Sequence, residues 1–290
     1  MLGVEVCREL RERRDSVVAA DLLASKEVVS LDICDFDAVD RMVKEHAPDF
    51  IFHLAAETNV DLCEQRPDHA FRVNALGTEN VALASQKYNV ALVYISTAGV
   101  FDGSKIDPYT EFDQPDPINV YGQTKFAGEQ VAQRLNPRHF VFRAGWMVGG
   151  WNIDKKFVYK VAQQILQGSQ EIKAVNDKFG NPTFTSDFAG NLIDVVKTYR
   201  YGLYHLCGQG SCSRYEIACK IVEFMGVGNR VRVEPVSSAL FPLPAARPRS
   251  EVMRSYKLDL LGLNKMPHWE AALRSYITAN TAKEPALLLR

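Results

Sequence analysis

Apolar runs alternate with stretches of helical period through the first half of the chain. Residues 16–20 (SVVAA) form a short β-rich run ending at Asp21, and residues 28–31 (VVSL) form a second ending at Asp32. In FDAVDRMVKEHAP the apolar positions Phe36, Val39, Met42 and Val43 recur at helical spacing, with Asp35 placed as an N-cap. Pro48-Asp49 ends that helix before residues 50–56 (FIFHLAA), a continuous apolar run suited to a strand buried on both faces. Residues 68–87 read as one helix between Pro67 and Asn89, and residues 90–97 (VALVYIST) as the next buried strand. A loop with Pro108, Pro115 and Pro117 leads to a helix over 119–135, stopped by Asn136-Pro137, and then to a strand over 139–146. This β-α-β-α rhythm with buried strands predicts an α/β, Rossmann-like parallel sheet covered on both faces, over residues 1–145. Beyond Trp146 the pattern loosens. Helices are expected near 153–167, 185–199, 213–225 and 268–280, and strands at 171–175, 203–207 and 231–234. FPLPAARP (241–248) reads as extended or turning. Residues 146–290 suit a smaller substrate-binding lobe rather than a second Rossmann unit.

Charge and composition narrow the function classes. A net charge of -1 gives no global field for nucleic acid or an anionic membrane, and no apolar run approaches the roughly 20 residues of a membrane span. The opening MLGVEVCRELRERR is charged and lacks the apolar core of a signal peptide, so a cytoplasmic protein is expected. Six cysteines, Cys7, Cys34, Cys63, Cys207, Cys212 and Cys219, form no CxxC pair and have no histidine cluster at zinc spacing. They read as reduced thiols, with no metal site.

The candidate chemistry lies in Tyr121-Gly122-Gln123-Thr124-Lys125. On a helix, residues four apart share a face, and this is the only Tyr-x-x-x-Lys among the chain's 11 tyrosines. A neighbouring ammonium favours phenolate and lowers the phenol's pKa, so the pair suits a general acid towards a carbonyl that accepts a hydride. Ser96 and Thr97 close a buried strand 24 residues before the tyrosine, and ligands of open parallel sheets bind at such strand tips. In HLAAETNVD (53–61), Ala55 and Ala56 are small enough for a ligand to approach the backbone, while His53 reads as a core histidine. Asn74, mid-helix in FRVNALGTENV, is either an exposed polar side chain or an organiser of the site.

These residues carry a resemblance. The chain resembles the extended short-chain dehydrogenases, and within them the dTDP-4-dehydrorhamnose reductase family, over nearly its whole length. The landmarks are DICD (32–35), HLAAETNVD (53–61), VNALGT (73–78), ISTAGVFDG (95–103) and NVYGQTK (119–125). More specific are RAGW (143–146), DKFGNPTFTSDFA (177–189), GLYHLCG (202–208) and ARPRS (246–250). The resemblance implies NADH or NADPH as cofactor and a nucleotide-linked 4-keto sugar as substrate, and leaves a homodimer open. It makes Tyr121 the proton donor to the C4 carbonyl oxygen, Lys125 its pKa-lowering neighbour and a holder of the nicotinamide ribose, and Thr97 a hydrogen-bond partner of the carbonyl. It sets Asp32 and Ile33 near the adenine, Ala55, Ala56 and Thr58 along the cofactor groove, and Phe101, Trp146 and Arg247 on the substrate side. Asp21, at the end of a strand, can bond the adenosine 2′-OH and repel a 2′-phosphate, which argues for NADH; similar reductases also accept NADPH.

The sequence departs from the family in two places. The strand end usually reads Ser-Thr-Asp-Tyr but here is Ser96-Thr97-Ala98-Gly99, which leaves the exact sugar nucleotide open. A Rossmann domain also begins with a strand and a Gly-x-x-Gly-x-x-Gly loop, whose N–H groups hold the pyrophosphate. Here only Met1-Leu2-Gly3 matches the end of that loop, with Gly3 its one glycine and Val4–Arg14 its helix. The first strand and Gly-rich loop are expected to be missing, two strands to face a gap, and the chain to be truncated relative to a functional parent, with poor cofactor affinity as it stands. Two other functions stay open: a sugar-nucleotide epimerase or dehydratase of the same superfamily, and a non-catalytic subunit resembling the regulatory subunit of methionine adenosyltransferase.

Overall fold

The computed structural model describes residues 1–153 and 156–281. Helix α1 (Leu2–Glu12) leads into two short strands, β1 (Ala19–Asp21) and β2 (Val28–Ser30), and helix α2 (Phe36–His46). As the spacing requires, Asp35 caps α2, its carboxylate accepting from the Ala38 N–H at 3.1 Å. After β3 (Phe50–His53) come α3 (Val60–Gln65), α4 (Pro67–Phe71), a π-helical turn (Arg72–Leu76), α5 (Gly77–Lys87), β4 (Ala91–Thr97), α6 (Val120–Leu135) and β5 (His139–Ala144). The second half runs through β6 (Trp146–Val148), α7 (Phe157–Leu166), β7 (Glu171–Val175), β8 (Phe179–Gly180), β9 (Pro182–Phe184), α8 (Thr185–Val196) and β10 (Gly202–Leu206). It ends with β11 (Cys212–Ser213), α9 (Arg214–Phe224), β12 (Arg232–Val236), β13 (Ser250–Glu251), α10 (Tyr256–Leu260) and α11 (Trp269–Thr281). Residues 154 and 155, at the expected start of the helix near 153–167, and residues 282–290 of the expected second lobe lie outside the described residues.

The central sheet is parallel in the order β10-β5-β4-β3. One face packs Val93, Phe140 and Phe142 against Val6 of α1 and Phe188 and Leu192 of α8. The other packs Leu92, Tyr94 and Val141 against Val39 and Val43 of α2 and Val81 of α5. The result is the three-layer α/β/α arrangement expected of a Rossmann-like chain. A second core joins α7, α9 and α11 to β7 and β12, which pair in parallel. Between these two layers the chain returns to the central sheet, α8 covering α1 and β10 pairing with β5.

Two local expectations need correction. The apolar run 50–56 yields a strand of only four residues, half-buried, at the edge of the sheet. Burial on both faces requires a neighbour on each side, and among the described residues only β4 pairs with it. Strands β1 and β2 form a separate parallel pair, and β1 and β3 line one cleft without a ladder between them. The helix over 68–87 is also not continuous. It is interrupted by the π turn that contains Asn74, a distortion that often marks a functional site.

Two buried histidines are expected to make this core sensitive to acid. The His205 ring, with no exposed surface, lies 3.2 Å from the Arg254 carbonyl at Nδ1 and 3.5 Å from the Arg143 guanidinium at Nε2. A carbonyl acceptor on one side and a cationic donor on the other fit the neutral Nδ1–H tautomer. Burial, then the Arg143 charge, pushes His205 down to about 3; burial, then Lys125, does the same to His53, which pairs with Thr78 at 3.0 Å. Their folded pKa values lie below the unfolded value, so their contribution is complete above pH ~6.5 and is lost as the pH falls from there towards 3. Each is expected to cost about 1.4 kcal/mol per pH unit within that window. Thermal unfolding followed between pH 7 and 5 is expected to show a falling Tm, with a shallower slope in His205→Gln than in the parent chain. An unchanged slope would refute this assignment.

Candidate active site

The tip of β4 and the first turn of α6 make the centre of the site. Thr97 ends β4 and its hydroxyl accepts from the Gly99 N–H at 3.0 Å, which starts the tight turn Ala98–Val100. Asn119 caps α6 by accepting from the Gly122 N–H at 2.8 Å, and its amide donates to the Ala246 carbonyl at 2.9 Å. The Val120 N–H donates to Glu64 of α3 at 3.0 Å. Gly122 allows α6 to approach this closely, because any side chain there would collide with the Gly99 carbonyl. Thr97, Tyr121 and Lys125 consequently line one cleft.

Asn74 locks this geometry from the π turn. Its carbonyl oxygen accepts from the Glu57 N–H at 2.8 Å, and its amide donates to the Glu57 carbonyl at 3.1 Å and to the Thr124 hydroxyl at 3.0 Å. One buried side chain thus ties the loop after β3 to the residue beside Lys125. Of the two readings open for Asn74, the organiser holds and the exposed side chain does not.

Burial dominates the electrostatics. It pushes the Tyr121 phenol up to about 12, helped by Glu251 and Cys63 and opposed by a hydrogen bond from Thr97. Lys125 is not among the groups that move Tyr121. Its ammonium stands over the Tyr94 ring, 4.2 Å from the centroid, and burial takes its own pKa down to about 7 against the pull of Glu129. The expected depression of Tyr121 by Lys125 is therefore corrected: Lys125 does not move the phenol, and desolvation raises it. Glu129, one turn beyond Lys125, makes a bidentate pair with Arg143 of β5 at 2.9 and 2.7 Å, both side chains fully buried.

The cleft, about 2430 Å³, is continuous with the gap between β1 and β3 and is lined there by core residues such as Val6, Val39, Val43 and Ile193. Gly3, Asp21, Ile33, Ala55, Ala56 and Thr58 line it on the side of α1 and β1, and Trp146 and Arg247 on the side of the second lobe. Two expected residues do not line the cleft. Phe101 is fully buried and stacked on Tyr109 with ring centroids 4.1 Å apart, so it serves the core and offers no surface to a substrate. Asp32 is absent from the cleft wall, because its carboxylate accepts from the Cys34 N–H at 2.8 Å in a local turn.

Lys178, Arg214 and Glu251 also stand on the wall, Lys178 within the 177–189 motif and Arg214 and Glu251 outside any motif. The Arg214 guanidinium lies 3.7 Å from the Trp146 ring centroid, and Arg247 pairs with Asp61 at 3.0 Å. Lys178 donates to the Arg247 carbonyl at 2.7 Å, and Glu251 accepts from the Trp146 indole N–H at 2.7 Å. The Ser96 hydroxyl is buried at the strand tip with no hydrogen-bond partner among the described residues. A sequence pattern could have flagged Arg214 and Glu251 only as polar residues beside the second-lobe motifs. Among the described residues no cluster of three metal-ligating side chains occurs, and no helix is long and apolar enough to cross a membrane.

Comparison with known proteins agrees with this architecture. The chain is 31% identical to the spore coat polysaccharide biosynthesis protein SpsK of Bacillus subtilis, over 95% of this chain and 93% of that protein. It is 35% identical to the dTDP-4-dehydrorhamnose reductase of Mycolicibacterium smegmatis, over 86% of this chain and 75% of that one. The crystal structure of dTDP-4-dehydrorhamnose reductase from Bacillus anthracis in complex with NADP superposes with a TM-score of 0.87 at 36% identity, covering 96% of this chain and 95% of that one. The family model for the RmlD substrate binding domain matches residues 1–282, and the chain belongs to that family.

Proposed function

We propose that this chain reduces the 4-keto group of a nucleotide-linked deoxysugar with NADH or NADPH, as a dTDP-4-dehydrorhamnose reductase does. The observation that carries the proposal is the convergence of Thr97, Tyr121 and Lys125 on one cleft at the tip of a parallel strand. Membership of the family and 31–35% identity to proteins named for this activity support it.

The wall of the cleft fits a nicotinamide dinucleotide. The unpartnered Ser96 hydroxyl and the Lys125 ammonium suit the nicotinamide end, and Ala55 and Ala56 leave the backbone open to it. Asp21 and Ile33 would hold the adenosine, and the first turn of α1, with Gly3, would face the diphosphate. The bound reduced nicotinamide supplies the hydride. Tyr121 holds the proton that the carbonyl oxygen receives, and its high pKa keeps that proton in place at neutral pH. The Thr97 hydroxyl orients the same oxygen and stabilises the phenolate that remains, which regains a proton from solvent. On the second-lobe side, Lys178, Arg214 and Arg247 suit the phosphates of a nucleotide sugar, and Trp146 lies beside them on the sugar side.

The test is turnover. Purified chain mixed with 4-keto-6-deoxy sugar nucleotides is expected to oxidise NADH or NADPH stoichiometrically with formation of the 4-hydroxy sugar. Asp21 predicts a preference for NADH, which Asp21→Ala is expected to reduce. No nicotinamide oxidation across the panel would overturn the reading, and tightly retained NAD without net consumption would favour the epimerase class.

A further inference from the structure

Glu251 has no part in the scheme above, although it shares the cleft with the three reacting side chains. It sits in β13, paired in parallel with β8 so that Glu251 stands opposite Gly180. Gly180 lies against the Trp146 ring, and the Trp146 indole donates to one Glu251 oxygen, so strand and ring together hold the carboxylate. Its other oxygen accepts no hydrogen bond from the described residues. That oxygen and the Thr97 hydroxyl flank one point: a Cβ on Gly99 would lie 3.6 Å from the first and 3.4 Å from the second. Gly99 has no side chain, so no Cβ of its own stands beside the carboxylate and the Thr97 hydroxyl. The charged and titratable groups facing Glu251 are Tyr121 on α6, Arg214 at the start of α9, Lys178 beside β8 and Arg247 before β13. Burial raises the Glu251 pKa, and the three cations and Trp146 oppose that rise.

We propose that Glu251 is a specificity-determining residue that accepts a hydrogen bond from a sugar hydroxyl on the ring carbon next to the reacting carbonyl. An equatorial hydroxyl α to a ring carbonyl lies nearly in the plane of the C=O and points along the same edge of the ring, within reach of an acceptor adjacent to Thr97. A fixed carboxylate with one oxygen already satisfied presents the other as a directed acceptor, and a substrate that lacks the hydroxyl leaves it desolvated and unpaired. The chain therefore selects 4-keto sugar nucleotides with a free 3-hydroxyl over their 3-deoxy counterparts.

The proposal rests on the reductase reading, and two readouts separate them. In turnover, the parent chain is expected to favour the 3-hydroxy over the 3-deoxy substrate by roughly 10- to 100-fold in kcat/KM. Glu251→Ala is expected to lose that factor on the 3-hydroxy substrate alone. Glu251→Gln keeps an acceptor for Trp146 and is expected to be intermediate, with the alkaline limb of its pH profile moved to lower pH because Tyr121 loses a neighbouring negative charge. Equal losses on both substrates, or no loss on either, would overturn the proposal. Calorimetric binding of the corresponding 4-hydroxy nucleotide sugars, with and without the 3-hydroxyl, gives the second readout and needs no turnover. A preference removed by Glu251→Ala sustains the assignment even if reduction is not observed, and equal binding of the two sugars refutes it even if reduction is.

Discussion

Replacing Tyr121 by Phe is expected to lower kcat for the proposed reduction by roughly 10²- to 10⁴-fold, the range that a positioned proton donor contributes. The loss follows from where the phenol lies. Its ring is held at the first turn of α6, which is fixed by the Asn119 cap and the bond from Val120 to Glu64. The substitution removes a hydroxyl whose partner is Thr97 and keeps the ring packing. The fold is therefore expected to survive, with KM for the nucleotide sugar little changed and Tm within a few degrees. Steady-state kinetics and thermal unfolding on the same preparation check this. A loss of less than tenfold would assign the proton to another group, and turnover in neither protein would favour the non-catalytic reading.

The largest structural effect is expected at Glu129. Its pair with Arg143 is bidentate and completely buried, and Glu129→Ala leaves a guanidinium in the core with no counter-charge. Breaking one partner of such a pair costs about 3–5 kcal/mol. For a chain of this size that corresponds to a fall in Tm on the order of 10 °C. Glu129 is also the group that holds up the pKa of Lys125, so the variant's lysine is expected to lose its proton below its present value of about 7. Activity measured at pH 7 is then expected to fall by more than the loss of folded protein explains. The double variant Glu129→Leu/Arg143→Met is expected to recover most of the stability, because an apolar pair needs no counter-charge, but not the Lys125 pKa. Urea unfolding of the single and double variants separates the two effects, and a stable single variant would show that Arg143 finds another partner.

Much of this fold was legible because burial leaves a periodic trace. The unbroken apolar runs that became β4 and β5 follow from both faces being dry, and the helical spacing of Val39 and Val43 from one, whereas Phe36 of the same pattern is exposed. Asp35 and the Tyr121–Lys125 spacing are local signals, set by neighbours within one helical turn, and they appear where the sequence puts them. The π turn at Arg72–Leu76 left no comparable trace, since Asn74 distorts the helix through bonds to Glu57 and Thr124, 17 and 50 residues away. Phe101 shows the same limit from the other side: an aromatic residue beside a catalytic motif reads as a substrate contact until its stacking on Tyr109 is seen.

The sequence by itself determined the long helices and the buried strands β4 and β5, the parallel sheet, and the placing of a phenol and an ammonium on one helix face. Periodicity and capping are short-range effects, fixed by hydrogen bonds and burial within a few residues. Only the tertiary structure decided the protonation states. Desolvation raises the Tyr121 phenol, and Lys125 is brought near neutrality between desolvation and Glu129. It also decided that Glu251, 130 residues beyond Tyr121, faces the same cleft. Desolvation and charge proximity depend on which distant segments share a volume, and no spacing along the chain encodes that.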